Sequence, residues 1–249
     1  MVSIKSPAEI KLMRQAGKIA AKALKALIKY ARPGRNTLEL DQLAESIIRK
    51  YGARPAFKGY QGFPASICCS INEELIHGIP SEKRVLQKGD LVSIDLGVEY
   101  KGFFSDMAYT FPVSGRILPE VKKLLQTGRN SLKIAIKTVK AGVTLGDLGY
   151  AVQSYVESQG FCVVRKYVGH GIGKDLHEPP EVPNYGRPGE GLVLKEGMVI
   201  AIEPMITMDS PEVKVLGDGW TVVSADKKPC VHFEHTVLIK KDKGEILTI

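Results

Sequence analysis

Two aspartates lie within the apolar strands of a predicted β-hairpin, where charged side chains are unusual. The outward run 91–98 contains Asp95, and the return run 103–110 contains Asp106. The segment Glu99–Gly102 between them is a polar turn signal. If the turn is centred in the middle of that segment, the two aspartates face each other with Cβ atoms about 4.5–5.5 Å apart. A bound cation would relieve their repulsion, whereas two solvated aspartates on an open sheet face are the alternative.

Two further acids interrupt predicted strands in the second half of the chain. The apolar run 198–202 ends at Glu203, and the following proline keeps that residue extended at the end of the strand. The run 230–239 alternates, so Glu234 shares a face with His232, while the next histidine points the other way. An acid within each apolar strand indicates that the four carboxylates serve a common site.

Among the five histidines, His170 is the best candidate for a nitrogen ligand. It lies in a Gly-His-Gly-Ile-Gly segment, which we expect to be a loop whose glycines permit close approach of a ligand. His77 and His177 also lie beside glycine or proline in predicted loops. A histidine near glycines is often an ordinary loop residue, so this alternative stays open for all three.

These candidates form a donor set with four carboxylates and one imidazole. Two divalent cations would neutralise the four negative charges, and carboxylates can bridge two ions about 3.5–4 Å apart. Mn(II), Fe(II), Co(II) and Zn(II) all suit oxygen ligands with one nitrogen, whereas Ca(II) would not need the histidine. Bridged metals acidify a shared water and polarise a carbonyl, so the predicted chemistry is hydrolysis. The predicted ligands are Asp95, Asp106, His170, Glu203 and Glu234.

Two pairs of amphipathic helices flank the hairpin and must position these strands. The segment Ser6–Glu9 has a capping serine, a proline at the first helical position and a glutamate suited to a capping box. A second helix is predicted to start at Thr37 and end near Gly52. After the hairpin, Pro119 opens a third helix and Thr144 caps a fourth.

The two helix pairs indicate a duplicated structure. The spacing from Gly34 to Gly52 recurs from Gly142 to Gly160. We therefore expect one catalytic domain over the whole chain, built from halves of about 1–115 and 116–249. A chance similarity between two amphipathic helix pairs is the alternative. If such halves pack face to face, polar residues on their strands converge at the seam.

Composition limits the class of protein. With 249 residues, 44% hydrophobic and 25% charged, the chain can bury a sizeable core, and no apolar run approaches the ~20 residues of a membrane span. The N-terminus has no apolar signal core, so we expect a cytoplasmic protein. The four cysteines show no CxxC spacing and are expected to be buried free thiols. A net charge of +8 favours either solubility or attraction to RNA.

Six short motifs, in a fixed order along the chain, resemble those of type I methionine aminopeptidases. They are His77–Pro80, Ser93–Gly97 with Ser105-Asp106, Gly169–Gly173, His177–Pro180, Ile202–Pro204 and Phe233–Thr236. The resemblance covers nearly the whole chain. It implies the α/β (α+β) pita-bread fold of that family, in which pseudo-twofold duplicated halves form an antiparallel sheet core with helices outside.

The resemblance also implies how the donors are shared between two metal ions. Asp95 would chelate one ion, and Asp106 and Glu234 would bridge both. His170 and Glu203 would complete the other ion. The resemblance leaves the metal open among Co, Mn, Fe and Zn.

The remaining implied roles concern catalysis and substrate binding. Glu203 would take the proton from the attacking water, His177 would contact the scissile carbonyl or oxyanion, and His77 would lie near the peptide nitrogen. The pocket for the methionine side chain would contain Tyr60, Phe63, Cys68, Leu176 and Trp220. Many bacterial relatives carry Cys, Tyr and Phe where this chain has Phe57, Phe63 and Leu176, so the pocket shape is expected to differ.

We therefore expect a cytoplasmic, monomeric metallo-aminopeptidase that removes initiator methionine from nascent polypeptides with a small second residue. Its partners would be the N-termini of those polypeptides and, through the basic surface, the ribosome, but not membranes or DNA. We therefore expect a protein without the zinc-binding extension of eukaryotic type I enzymes and without the helical insertion of type II enzymes.

Two alternatives have different functions. Prolidase and aminopeptidase P share the fold and the ligands, but they carry a large extra N-terminal domain for which 249 residues leave no space. A pita-bread relative that has lost catalysis and binds protein or nucleic acid is the second alternative. Retention of all five ligands argues against it.

Overall fold

The computed structural model describes residues 2–249, which form four α-helices and fifteen short or medium β-strands. The helices are α1 (Pro7–Tyr30), α2 (Thr37–Lys50), α3 (Pro119–Thr138) and α4 (Leu145–Ser158). The strands of the first half are β1 (Arg54–Pro55), β2 (Cys68–Ile71), β3 (Glu74–Ile76), β4 (Leu91–Tyr100) and β5 (Phe103–Pro112). Those of the second half are β6 (Cys162–Val163), β7 (Gly169–Gly171), β8 (Glu178–Val182), β9 (Val199–Ile202), β10 (Met205–Thr207), β11 (Val213–Val215), β12 (Val222–Ser224), β13 (Val231–His232), β14 (His235–Ile239) and β15 (Gly244–Ile246). None of the described helices combines the length and apolar character that a bilayer span requires.

The predicted helix starts are confirmed by their caps. At the start of α1, the Ser6 hydroxyl accepts the N–H of Glu9, and the Glu9 carboxylate accepts the N–H of Ser6 at 2.8 Å. Asn36 and Thr144 head α2 and α4 with the same reciprocal box. Each such cap contributes about 1 kcal/mol of helix stability. The third helix starts at Pro119 without a side-chain cap.

The loops that precede α2 and α4 are built alike. The N–H of Gly34 donates to the carbonyl of Leu86 at 2.9 Å, and the N–H of Gly142 donates to the carbonyl of Leu194 at 2.9 Å. Gly142 follows Gly34 along the chain by as many residues as Leu194 follows Leu86. The capping residue Thr144 follows Asn36 by the same number. This repetition supports the interpretation of two duplicated halves, which stays a prediction.

The turn of the central hairpin differs from the one predicted. Tyr100 pairs with Phe103, which leaves Lys101 and Gly102 as a two-residue turn. Both turn residues have positive φ, 53° and 81°, as a type I′ turn requires. The turn is therefore centred one residue later than the middle of the polar segment.

This shift of the turn changes the cross-strand partners of the two aspartates. Asp95 lies opposite Ala108, and Asp106 lies opposite Gly97, so the prediction of directly facing aspartates is wrong. A change of two residues in register keeps every side chain on its original face. Asp95 and Asp106 are consequently diagonal neighbours on one face of the hairpin.

The antiparallel sheets of the two halves meet at β5. In the first half β4 is flanked by β1, β2 and β5, and in the second the order is β15-β14-β9-β7-β8. The N–H of Glu234 donates to the carbonyl of Ala108 at 2.9 Å across the seam. The Thr236 hydroxyl accepts the N–H of Asp106 and donates to the carbonyl of the same residue, both at 2.8 Å. These bonds bring the acids of the two halves together.

Separate apolar clusters cover the two halves. Side chains of α1 and α2 pack on the strands of the first sheet, and those of α3 and α4 pack on the second. The seam between the sheets is therefore the part of the interior where polar side chains collect. The four cysteines are free thiols as predicted, although Cys162 is only half-buried.

Candidate metal centre

The five predicted ligands line one cavity at the seam. Asp95 lies in β4 and Asp106 in β5, so both come from the hairpin of the first half. His170 is the middle residue of β7, Glu203 follows β9, and Glu234 lies between β13 and β14. Five separate chain segments thus supply one donor each.

The cavity also contains every other predicted site residue. It encloses about 150 Å³ and is lined, in addition to the four acids and one imidazole, by His77, His177, Tyr60, Phe63, Cys68, Leu176 and Trp220. Phe57 also lines the cavity. This was expected, because Phe57 is one of the three residues at which the pocket was predicted to differ from that of many relatives. Gln61 is a lining residue that the sequence analysis missed, and its polar, exposed side chain gave no signal.

The donor atoms form two overlapping groups. One oxygen each of Asp106 and Glu234 and a ring nitrogen of His170 lie within 4.8 Å of one another. Donor atoms of Glu203, His232 and Glu234 form a second group with the same maximum spacing. Glu234 belongs to both groups, which is the arrangement expected of a carboxylate between two cations.

His170 lies in a strand rather than in the predicted loop. It occupies β7, where Gly171 pairs with Ile200 of β9. A Cβ atom at Gly169 would approach the carbonyl oxygen of Ala201 to 2.3 Å, and one at Gly171 would approach another backbone carbonyl oxygen to 2.2 Å. The glycines therefore permit close packing of backbones, and that packing fixes the imidazole.

A backbone hydrogen bond sets the tautomer of His170. Its Nδ1 lies 2.9 Å from the carbonyl oxygen of Gly171, which can only accept a hydrogen bond. Nδ1 therefore carries the proton, and Nε2 presents a lone pair to the carboxylates. Burial, followed by the neighbouring ring of His177, lowers the pKa of His170 to about 3. The imidazole is neutral at pH 7, so its 3.6 Å approach to Glu203 is not an ion pair.

Burial and mutual repulsion raise the pKa values of all four carboxylic acids. The pKa of Asp106 rises to about 7 through burial and the charge of Glu203, and burial raises the pKa of Glu203 to about 8. Burial and the adjacent acids hold the pKa values of Asp95 and Glu234 well above the usual range. Asp95 Oδ1 and Glu234 Oε1 are buried without a hydrogen-bond partner within residues 2–249.

The size of this repulsion indicates how the site is stabilised. At an effective dielectric constant of about 20, two carboxylates about 5 Å apart repel each other by roughly 3 kcal/mol. A few such terms approach the roughly 5–15 kcal/mol by which a typical domain is stable. Protons or divalent cations must therefore neutralise the acids, and the lone pair on Nε2 of His170 adds a nitrogen donor that a divalent cation can use. The donor set fits divalent metal ions.

An apolar wall stands beside the donors. Cys68 in β2 pairs with Asp95 in β4, which places its side chain next to the acids. The rings of Phe63 and Trp220 meet edge to face with centroids 5.1 Å apart, and Leu176 is fully buried. The cavity thus combines a charged floor with an apolar side.

Two histidines stand near the entrance. The Nδ1 atom of His177 lies 2.8 Å from the hydroxyl of Tyr60, and its ring centroid lies 4.2 Å from that of His170. The ring of His77 meets Trp220 edge to face at 6.3 Å. Burial, with smaller contributions from two neighbouring imidazoles, lowers the pKa of His77 to about 4.

The loop that carries Leu176 and His177 is held by the N-terminal segment. The Lys5 ammonium lies 2.5 Å from Glu178 Oε2, and both side chains are nearly buried. The other oxygen of Glu178 accepts the N–H of Lys174 at 2.7 Å. This ion pair fixes the position of the two cavity residues that precede Glu178.

His232, which the predicted strand alternation places on the face of Glu234, has no role among the predicted site residues. Its Nε2 lies 3.3 Å from Glu203 Oε2, the ring is 2% exposed, and neither ring nitrogen has a hydrogen-bond partner within residues 2–249. The shared face with Glu234 was the signal in the sequence that pointed to this position.

Known proteins resemble the chain over its full length. The model of "Metallopeptidase family M24" matches residues 11–241. Methionine aminopeptidase 1 of Bacillus subtilis is 51% identical over 248 residues, which cover 100% of this chain and 99% of the relative. The crystal structure of methionine aminopeptidase from Thermotoga maritima superposes with a TM-score of 0.98 at 46% identity, covering 100% and 99% of the two chains.

A proline-specific relative is more distant. Prolidase from Pyrococcus furiosus superposes with a TM-score of 0.80 at 30% identity, and the match covers 99% of this chain but 65% of the prolidase. These structural likenesses confirm the predicted pita-bread architecture of antiparallel sheets with helices outside.

Divalent cations are expected to bind with release of protons and more tightly at higher pH. The raised pKa values of Asp106 and Glu203, about 7 and about 8, mean that a cation must displace protons from metal-free protein near neutrality. Raising the pH removes those competing protons. Isothermal titration of chelator-treated protein with MnCl₂ at about pH 6 and about pH 8, in buffers of different ionisation enthalpy, measures both effects. Equal affinity at both pH values without proton release would contradict this account of the site.

Proposed function

The chain belongs to metallopeptidase family M24 and, within it, to the methionine aminopeptidases, and we propose that it removes the initiator methionine from nascent polypeptides. The observation that carries this proposal is one cavity in which buried metal donors lie beside an apolar pocket. A peptide N-terminus placed there would have its first side chain in the pocket and its first peptide bond over the donors.

We propose that Asp95, Asp106, His170, Glu203 and Glu234 hold two divalent cations. Two ions neutralise the four carboxylates, and Glu234 lies in both donor groups. When bound, the cations polarise the scissile carbonyl and make a water molecule in the site more acidic. Oxygen donors with one imidazole are compatible with Co, Mn, Fe or Zn and do not select one of them.

Glu203 is the proposed carrier of the proton. Carboxylates are among the groups that serve as general bases, and Glu203 lines the cavity beside the other donors. Its carboxylate would accept the proton of the attacking water and deliver it to the leaving amine. The side-chain amide of Asn184 donates to the backbone carbonyl of Glu203 at 2.9 Å, which holds the residue at the end of β9.

His177 and His77 would act on the substrate from the entrance. If the Tyr60 hydroxyl donates to Nδ1 of His177, the Nε2–H of that ring is free to donate to the carbonyl oxygen or to the oxyanion. His77 would lie near the peptide nitrogen, oriented by its edge-to-face contact with Trp220. These roles require both rings to remain in the positions that the loop contacts give them.

The apolar side of the cavity suits a methionine side chain. Thioether sulfur makes favourable contacts with aromatic rings, and Phe63 and Trp220 present such rings. Phe63 and Leu176 replace the Tyr and Phe of many relatives, which alters the shape of this pocket. A bulky second residue would clash at its mouth, so substrates with a small second residue are preferred.

The location and partners of the protein follow from this reaction. Nascent chains carry initiator methionine where they are synthesised, so we propose that the protein works as a monomer in the cytoplasm. The net charge of +8 would favour contact with ribosomal RNA.

The purified protein is expected to cleave Met-Ala-Ser and to leave Ala-Pro intact, because the pocket fits methionine and proline-specific relatives have a different substrate. Release of the free amino acid from each peptide, measured with added Mn(II) or Co(II), gives the comparison. Met-Trp-Ser serves as the control for the second position and should react far more slowly. A preference for Ala-Pro would reject the proposed function.

Glu203→Gln should lower kcat by at least about 10²-fold, since removal of a general base costs typically 10²–10⁴-fold in rate. The amide has the same shape, so the melting temperature of the metal-free protein should not fall. Glu196→Gln, which makes the same change at an exposed glutamate, is the matched control and should keep full activity. Undiminished cleavage by the Glu203 variant would show that the acid–base role is wrongly assigned.

Binding to ribosomes, if driven by the basic surface, should weaken steeply between about 50 and 200 mM salt. Cosedimentation of the protein with purified ribosomes at the two salt concentrations measures this. Bovine serum albumin, an acidic protein, is the control for trapping in the pellet. Absent binding, or binding unaffected by salt, would remove the ribosome from the proposed partners.

A further inference from the structure

The side chain of His232 is a buried imidazole that contacts Glu203 from outside the set of residues lining the cavity, and it is not one of the five proposed ligands. Both of its ring nitrogens lack a hydrogen-bond partner within the described chain, and its Nε2 faces Glu203 Oε2 at 3.3 Å. An unpaired buried polar group destabilises a fold, so an imidazole placed there without a function would be unfavourable. Its surroundings indicate what it does.

The backbone of His232 is fixed in the same way as that of a proposed metal ligand. The Thr110 hydroxyl accepts the N–H of His232 at 2.9 Å and donates to its carbonyl at 2.7 Å. In the same way, the Thr236 hydroxyl accepts the N–H of Asp106 and donates to its carbonyl, at 2.8 Å each. In the first half Thr110 follows Asp106 by four positions, and in the second half Thr236 follows His232 by four positions. His232 is therefore the counterpart, in the second half, of Asp106 in the first.

The neighbours of these two residues correspond as well. The separation of Asp95 and Glu203 along the chain equals that of the matched loop residues Gly34 and Gly142. In the first half the carboxyl of Asp106 contacts that of Asp95. In the second half the ring of His232 contacts the carboxylate of Glu203. At the equivalent place, an acid–acid contact is replaced by an imidazole–acid contact.

Glu203 needs a hydrogen-bond donor that the other nearby imidazole does not provide. The Nδ1–H of His170 is used by a backbone carbonyl, so its Nε2 has only a lone pair to offer to Glu203 Oε1 at 3.6 Å. Within residues 2–249 no hydrogen bond reaches the carboxylate of Glu203, although Nε2 of His232 lies 3.3 Å from Oε2. Nε2 of His232 is the nitrogen that can carry a proton and donate it to Oε2.

We propose that His232 is a positioning residue, whose Nε2–H donates to Glu203 Oε2 and leaves Oε1 directed toward the cation shared with His170. This inference deepens the proposed function and depends on Glu203 being a metal ligand. Groups that hydrogen-bond to metal ligands typically change metal affinity or activity by about 10–100-fold when they are removed. The alternative is that His232 itself binds a cation together with Glu203 and Glu234, since their donor atoms also lie within 4.8 Å.

Two amide variants separate hydrogen bonding from metal ligation. His232→Gln places an amide N–H where Nε2 was, whereas the shorter side chain in His232→Asn places it near the former Nδ1, out of reach of Glu203. His235→Gln is the matched control, because His235 faces away from the cavity and its Nδ1 lies 2.8 Å from the Thr248 hydroxyl. Chelator-treated proteins are titrated with MnCl₂ by calorimetry, with melting temperatures measured in parallel.

His232→Gln and the His235 control should bind Mn(II) like the wild type, while His232→Asn should lose about 10–100-fold in affinity for one ion. Wild-type affinity in the Asn variant would overturn the proposal. Equal weakening in both His232 variants would overturn it in favour of direct ligation. Should the Asn variant not fold, His232→Leu replaces it and the same comparison applies. Metal affinity does not require turnover, so failure of the wild type to cleave Met-Ala-Ser would count against the proposed function and not against this hydrogen bond.

Discussion

Four carboxylic acids buried around one point are the constraint on which this structure depends. Loss of hydration raises the pKa of each of them, and the charges of neighbouring acids raise those of Asp95, Asp106 and Glu234 further. A fold gains nothing in stability from such a cluster, so the cluster must serve the bound cations. The backbone hydrogen bond at Nδ1 of His170 directs the lone pair of Nε2 toward the carboxylates, which adds a nitrogen donor to the oxygen donors.

The seam between the two halves is what makes this arrangement possible. Each sheet keeps its apolar side chains under its own pair of helices, which leaves the facing edges free for polar groups. Hydrogen bonds between threonine hydroxyls and opposite backbones lock the edges together at Asp106 and His232. The backbone is nearly symmetric there, but the side chains are not. The asymmetry places one imidazole against Glu203 and an apolar pocket beside Asp95, so one side of the cavity suits proton transfer and another suits methionine.

Local chemistry could be predicted from the sequence where it depends on neighbouring residues. The capping box at Ser6 and the cap at Thr144 are such cases. Asp95 and Asp106 were predictable because an acid in an apolar strand needs a partner, whereas Glu203 and Glu234 lie just outside the strands in which they were expected. The hairpin register was not, because a polar segment of four residues allows several turns, and the positive φ at Lys101 and Gly102 decides between them. The strand conformation of His170 and the approach of His232 to Glu203 depend on contacts between distant segments, which no local pattern contains.

The most direct test of the account is the location of metal ions in crystals of the protein grown with MnCl₂. Anomalous diffraction measured near the manganese absorption edge reports the ions independently of the protein atoms. The account predicts two peaks about 3.5–4 Å apart at the seam, both contacted by Asp106 and Glu234. Asp95 should contact one peak, and His170 and Glu203 should contact the other. Peaks elsewhere on the molecule, or an empty seam with these five side chains turned away from one another, would contradict it.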